Sequence, residues 1–493
     1  MSRMLKSISI AFLLIGVLLI SSCTDNDPFI RTLDVNAQSP IVMVLKNQAN
    51  DFSTEVSAQV VKALDYTKIP YLTIDLGIIS REFSIPNSVR SLVITTDRVQ
   101  ELRTEDFEEL VEFVARGNSI VLTGPVSSQN FAFLQGLKTD TEYNVDSLSV
   151  GYKLFSKAFP GVEGMTYNYD GLLPHYGLLA EEFKSSVNIL ASTATDENQP
   201  FIVSNKIGLG EVITINSYVL GGKIYRGIIF SSILKGLQGV PYQVANVSTI
   251  FLDDFPAPLY NQKLPPIDEE YDVTHAEFVS KIWWQDMQAF ADTFNIDYSA
   301  MTAFNYNANV VPPFDFQEWR QGSIIYNQNI VQGSIFLAND VKNTRHELAF
   351  HGYNHFSLWE QDWDNINFMI SSLQAARKRW RVDNLGKLPT NYVPPTNEID
   401  SVGILAITIG MPSIRYMSSL YFGVQEEGQG REFDPDPYAP GQLFDYPRVT
   451  SGFTMNENSL LDQQGMQLVT GIWNHFIHPD DVFQVTQRAE DEF

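Results

Sequence analysis

The sequence predicts two successive α/β domains, an open parallel sheet followed by a barrel, and three observations predict it. From Pro40 to about residue 240, short apolar runs alternate with stretches of helical period, the pattern of a parallel sheet with helices on both faces. Near Val244 the alternation restarts, now with acidic or histidine residues at the ends of apolar runs, where a barrel of parallel strands carries its functional residues. Finally, 493 residues that are 44% hydrophobic and only 18% charged suffice for two packed cores and argue against disorder.

At the N-terminus, Arg3 and Lys6 precede an apolar run from Ile8 to Ile20 that ends in Ile20-Ser21-Ser22-Cys23. This reads as a secretory signal over residues 1–23 closing on a lipoprotein cleavage box, with the lipid carried by the sulfur of Cys23. The run is shorter than the roughly 20 residues that span a bilayer. Cys23 is the single cysteine, which excludes an internal disulfide, a thiolate metal site and a cysteine nucleophile. Residues 24–38 read as a tether, and Asp25 and Asp27 resemble the export signal of surface lipoproteins. The expected location is therefore the cell envelope, lipid-anchored to the outer membrane and either periplasmic or surface-exposed. A net charge of −25 without a basic block excludes nucleic acid as a partner.

In the first domain, residues 39–240, strands are expected at 41–45, 71–74, 92–96, 120–123, 201–203 and 212–216. Helices are expected at 53–65, 104–116 and 221–237. Residues 126–195 lack a clear period and read as an insertion. The order of elements, ending in the Gly208-Leu209-Gly210-Glu211 turn, a strand and a closing helix, resembles the class I glutamine amidotransferase-like fold, a doubly wound parallel sheet. That family's nucleophile is a cysteine, so no amidotransferase activity is expected here. The domain is expected to fold alone and to serve a structural role or contact a glycan or partner.

The second domain, residues 245–493, opens with the apolar run 247–252, which leads directly into Asp253-Asp254. A helix is expected over 276–294, and strands at 347–350, 391–393, 413–417 and 471–477. Six of the seven histidines fall between 275 and 478. His351 and His355 are four apart, a spacing that places both imidazoles on one face if the segment is helical. On a strand 472–478, Ile472, Asn474, Phe476 and His478 share one face and His475 takes the other.

These residues resemble the polysaccharide deacetylase family (carbohydrate esterase family 4), whose NodB-like fold is a distorted (β/α) barrel. Phe251-Leu252-Asp253-Asp254 stands for the family's T-F-D-D motif. His346 through His355 stands for H-E-I-G-N-H-[ST]-x-x-H, with Gly352 in place of Ser or Thr. His478, with His475 as the alternative, stands for the histidine that follows a late apolar strand. Tyr392-Val393-Pro394-Pro395 keeps the proline of the R-x-P-[YF] motif without its arginine, which Arg415 is a candidate to replace.

The resemblance implies that Asp254, His351 and His355 hold a divalent metal, most often zinc, with Asp253 as general base and His478 or His475 as acid. The implied reaction is N-deacetylation of an N-acetylated envelope or extracellular polysaccharide. The alternative is an inactive relative that binds glycan, which the missing arginine favours. A glycosidase using paired carboxylates does not need the histidine pair, and no G-x-S-x-G elbow for a serine hydrolase occurs.

Overall fold

The computed structural model describes residues 39–78, 83–99, 102–138, 147–155 and 163–482; Cys23, the signal segment and the tether lie outside them. In the first domain the elements run β1 (Val42–Lys46), α1 (Asp51–Thr67), β2 (Tyr71–Asp75), β3 (Ser91–Ile94), α2 (Thr104–Ala115), β4 (Ser119–Leu122), α3 (Gln129–Gln135), β5 (Ser147–Leu154), β6 (Thr166–His175), β7 (Asn188–Thr193), β8 (Pro200–Ile207), β9 (Gly210–Ile215) and α4 (Arg226–Gly236). They form one nine-stranded sheet in the order β2-β1-β3-β4-β9-β8-β7-β5-β6.

The sheet is mixed, which corrects the expectation of a wholly parallel one. β2, β1, β3, β4 and β9 are parallel, whereas β9, β8, β7, β5 and β6 pair antiparallel. Residues 126–195 thus contribute three strands, β5, β6 and β7, to this sheet rather than forming a separate insertion. Their strands hid because the edge exposes apolar side chains such as Leu148, Val150 and Leu172, blurring the alternation.

The parallel strands are apolar on both sides because helices cover both faces. Val42, Val44 and Val93 pack with α1 and α4 on one face, and Met43, Leu45 and Leu92 with α2 and α3 on the other. Asn50 caps α1 by accepting from Ser53 N at 3.0 Å.

The second domain runs β10 (Val247–Leu252), α5 (Trp284–Phe294), β11 (Tyr298–Thr302), a hairpin of β12 (Ser323–Tyr326) and β13 (Asn329–Gln332), α6 (Gly333–Lys342), β14 (Glu347–Phe350), α7 (Ile366–Val382), β15 (Asn391–Tyr392), α8 (Ser401–Gly410), β16 (Tyr416–Met417), β17 (Phe444–Asp445), β18 (Thr450–Ser451), α9 (Glu457–Thr470) and β19 (Ile472–Ile477). A π-helical turn at Val279–Trp283 leads into α5. The sheet order is β17-β16-β15-β14-β11-β10-β19-β18, parallel throughout.

The two edges of this sheet belong to one short stretch of chain. β17 pairs with β16, β18 pairs with β19, and between them Arg448 N donates to Ser419 O at 2.8 Å while Val449 N donates to Asn474 O at 2.9 Å. Residues 444–451 therefore close the sheet into a barrel. Phe251, Met301, Ala349 and Val393 fill its interior with Phe476 and Tyr446.

α9 of the second domain packs against the first. Leu461 and Val469 on this helix join the core that contains Val42 and α4 of the first domain. Gly465 of α9 and Gly227 of α4 lie so close that a Cβ on Gly227 would stand 2.5 Å from the Gly465 Cα.

Candidate metal centre

The barrel's strand alternation decides which side chains meet. Phe251 points inward, so Asp253, two residues later, continues inward past the end of β10. Asp254 would then point outward, but its φ of 52° turns the chain and re-aims its carboxylate toward β14. Asp253 N donates to Ile477 O at 2.9 Å, which fixes this end of β10 against β19.

His351 follows β14 directly. His351 and His355 converge, and they do so through a loop rather than along a helix. Gly352 makes the turn at φ 105°, and a Cβ there would meet Asn354 O at 2.8 Å. His355 N is anchored on Asn305 O at 2.9 Å, and the two imidazole centroids stand 5.1 Å apart.

Asp254 Oδ1 lies 3.7 Å from His351 Nε2, and Asp254 Oδ2 lies 3.5 Å from His355 Nε2. All three groups offer ligand atoms within 4.8 Å of one another. Two ligands of one zinc ion, each about 2.0–2.1 Å from it at the tetrahedral angle, stand about 3.4 Å apart. Asp254 Oδ1 is buried without a hydrogen-bond partner, as a carboxylate oxygen reserved for a cation is. His351 Nδ1 faces Val393 O at 2.9 Å, so the proton sits there and Nε2 presents its lone pair to Asp254. Burial lowers the pKa of His351 and keeps it neutral, as a ligand must be. The residues present thus fit a divalent cation.

Asp253 lies beside this set and is buried. Arg448, from the segment that closes the barrel, pairs with its Oδ2 and also donates to Asn397 Oδ1. Burial alone would raise the pKa of Asp253, but Arg448, then His351 and His478, more than reverse this and hold it below the usual carboxylate range. Its other oxygen, Oδ1, has no hydrogen-bond partner. Arg448 packs its guanidinium 3.9 Å from the Phe476 ring centroid, inside the barrel. Arg415 does not take this role, because its Nη1 donates to Pro412 O and Ile414 O, both at 2.8 Å, within its own turn.

His478 follows β19. Its Nε2 lies 3.9 Å from Asp253 Oδ2, and its Nδ1 lies 3.2 Å from Asp481 Oδ1. Burial alone would lower its pKa, but the hydrogen bond to Asp481 and the charges of Asp253, Asp481 and Asp254 push it up to about 9. His475 does not join the cluster. Its Nδ1 is 2.9 Å from Thr450 Oγ1 and its Nε2 is 2.8 Å from Gly452 O, on the opposite face of β19. His346 is also structural: it sits at the start of β14, where its Nδ1 accepts from Tyr298 N at 3.1 Å.

A cleft of about 400 Å³ opens beside Asp254 and His355, walled by Leu259, Tyr260, Leu264 and Tyr306. No helix among the described residues is long and apolar enough to cross a membrane.

Among solved structures, a beta-galactosidase from Bacillus circulans sp. alkalophilus is similar at 14% identity and a TM-score of 0.30, over 42% of this chain and 32% of that one. A putative ThuA-like protein from Parabacteroides merdae is similar at 11% identity and a TM-score of 0.32, over 42% of this chain and 94% of its own. An alpha-L-fucosidase isoenzyme from Paenibacillus thiaminolyticus is similar at 14% identity and a TM-score of 0.28, over 41% and 33%. No curated protein matches the chain. A family model described as an uncharacterised protein conserved in bacteria (DUF2194) matches residues 31–492, and the chain belongs to that family.

Proposed function

We propose that the protein is a metal-dependent hydrolase that removes acetyl groups from an N-acetylated polysaccharide of the cell envelope, on a NodB-like barrel held to the membrane through a lipid on Cys23. The observation that carries this reading is the convergence of Asp253, Asp254, His351, His355 and His478 at the C-terminal ends of β10, β14 and β19. A cation held by Asp254, His351 and His355 supplies Lewis acidity toward the acetamide carbonyl and acidifies water.

The chain's own residues divide the proton work. Asp253, ionised and held at Oδ2 by Arg448, accepts a proton from the attacking water at its unpartnered Oδ1. His478 is protonated at neutral pH and is oriented by Asp481, so it can give its Nε2 proton to the departing amine. The products are acetate and a free amino sugar. Tyr260 and Tyr306 line the cleft where the sugar ring would lie. Arg448 supports the active reading over a glycan-binding relative without turnover, since the arginine absent near Pro394 is met from another part of the chain.

The test joins elemental analysis with acetate release from an N-acetylated oligosaccharide. Wild type should hold about one zinc ion per chain, and the His351→Ala, His355→Ala double variant should lose it. Asp253→Asn should keep the metal and lose turnover. Metal retained by the double variant, or no acetate from metal-loaded wild type, would falsify the reading.

A further inference from the structure

The first domain carries a crevice of about 310 Å³ that the barrel chemistry does not use. It opens at the C-terminal ends of the parallel strands, between Asn50 and Phe52 after β1, Asp97 after β3, Gly124 after β4 and Tyr218 after β9. The neighbours of β1 are β2 on one side and β3 on the other, so the connections leave in opposite directions here. Open α/β sheets bind ligands at such a switch point, outside the carboxyl ends of the strands.

Its lining has a definite chemistry. Tyr176 and Tyr218 meet at 74° with centroids 5.6 Å apart, forming an aromatic corner. Asn50 Nδ2 reaches Asp97 Oδ1 only at 3.3 Å, which leaves the exposed carboxylate able to accept from a ligand hydroxyl. Arg98 beside it turns its Nη1 onto Ala49 O at 3.4 Å. A Cβ on Gly124 would lie 3.3 Å from Ser217 O and 3.8 Å from the Phe52 ring, so a side chain at this position would fill the crevice floor. The charge of Asp97 opposes an anionic ligand. Aromatic faces beside a carboxamide and a carboxylate suit a pyranose, whose ring faces are apolar and whose rim carries hydroxyls.

We propose that this crevice is a binding subsite for a neutral saccharide, separate from the barrel and not dependent on its chemistry. The test uses the full chain carrying His351→Ala and His355→Ala, so that turnover cannot contribute, titrated calorimetrically with chitohexaose and with cellohexaose. At least one of these neutral hexasaccharides should bind, and adding Tyr218→Ala should weaken that binding roughly tenfold or more. Asp97 is exposed, so Asp97→Ala should keep the fold and weaken the same binding step even where Tyr218→Ala disturbs packing. Binding unchanged by both substitutions would overturn the proposal. So would no binding of either hexasaccharide, or tighter binding of sodium alginate or inorganic phosphate than of either.

Discussion

Arg448 meets Asp253 from a segment almost two hundred residues further along the chain, and both side chains are buried. Removing one partner of a buried pair leaves an uncompensated charge and costs about 3–5 kcal/mol. Arg448→Met should therefore lower the urea midpoint markedly, while Arg448→Lys, unable to reach both Asp253 and Asn397, should fold and lose about 10–100-fold in turnover with its metal retained. Equal turnover in Arg448→Lys would show that the guanidinium does not position Asp253. The aspartate pair and the histidines were legible because their residue types are costly to bury and fall at the ends of apolar runs. Strand parity put His478 and His475 on opposite faces of β19 but left open which of them is the acid. Arg448 was not legible. It stands in Tyr446-Pro447-Arg448-Val449, between strands of two residues each, where no period exists to mark an inward face. Arg415 misled because an arginine after an apolar pair looks the same whether it serves a distant carboxylate or its own turn.

At the scale of elements, the loop after β14 brings the two histidines together without the helix that would also place them on one face. The i, i+4 spacing is equally consistent with a tight loop, and the positive φ of Gly352 selects the loop. Gly352→Ser restores the residue that the deacetylase motif carries, yet it should weaken metal binding, because a Cβ there meets Asn354 O. Strain of this kind costs about 1–3 kcal/mol. Competition against a fluorescent zinc chelator reads the affinity directly, and an unchanged value would mean that the loop relaxes freely. The parallel strands β1, β3 and β4 of the first domain were readable because both faces are buried and the apolar runs are continuous. The two-residue strands β17 and β18 were not, since two residues cannot display alternation.

At the scale of the molecule, charged groups of the second domain grip the first. Arg226 pairs with Glu432 at 2.9 Å, Tyr66 donates to the same carboxylate, and Lys62 pairs with Asp434. Burial alone would raise the pKa of Glu432, but the hydrogen bond and charge of Arg226, with Lys223 and Tyr66, bring it down to about 2. A carboxylate depressed on folding adds stability that is fully present above its ordinary pKa near 4.5 and is lost as pH falls toward 2. Wild type should lose about 2–3 kcal/mol through this group across that window. Glu432→Gln should be less stable at pH 7 and show a flatter acid limb in urea titrations. Parallel acid limbs would remove Glu432 from the account. The glycine contact between α4 and α9 is the second joint. Gly465→Val should push the helices apart, cost about 1–3 kcal/mol, and lower the melting temperature without altering metal content.

The placement of α9 also bears on the order in which the chain becomes a protein. Its residues Leu461 and Val469 complete a core begun at Val42, and β19 pairs with β10 along its whole length. A polypeptide delivered from its N-terminus can finish neither domain until nearly all of it has emerged. Until then the α1 and α4 face lies bare, and β10 offers an unpaired edge. A fragment ending at residue 240 is therefore expected to be a poor stand-in for the first domain, soluble only when a chain covering α9 is supplied. Waiting for residues 457–477 makes the molecule dependent on whatever shields an unfinished chain, and it ties the maturation of the two sheets to a single late event.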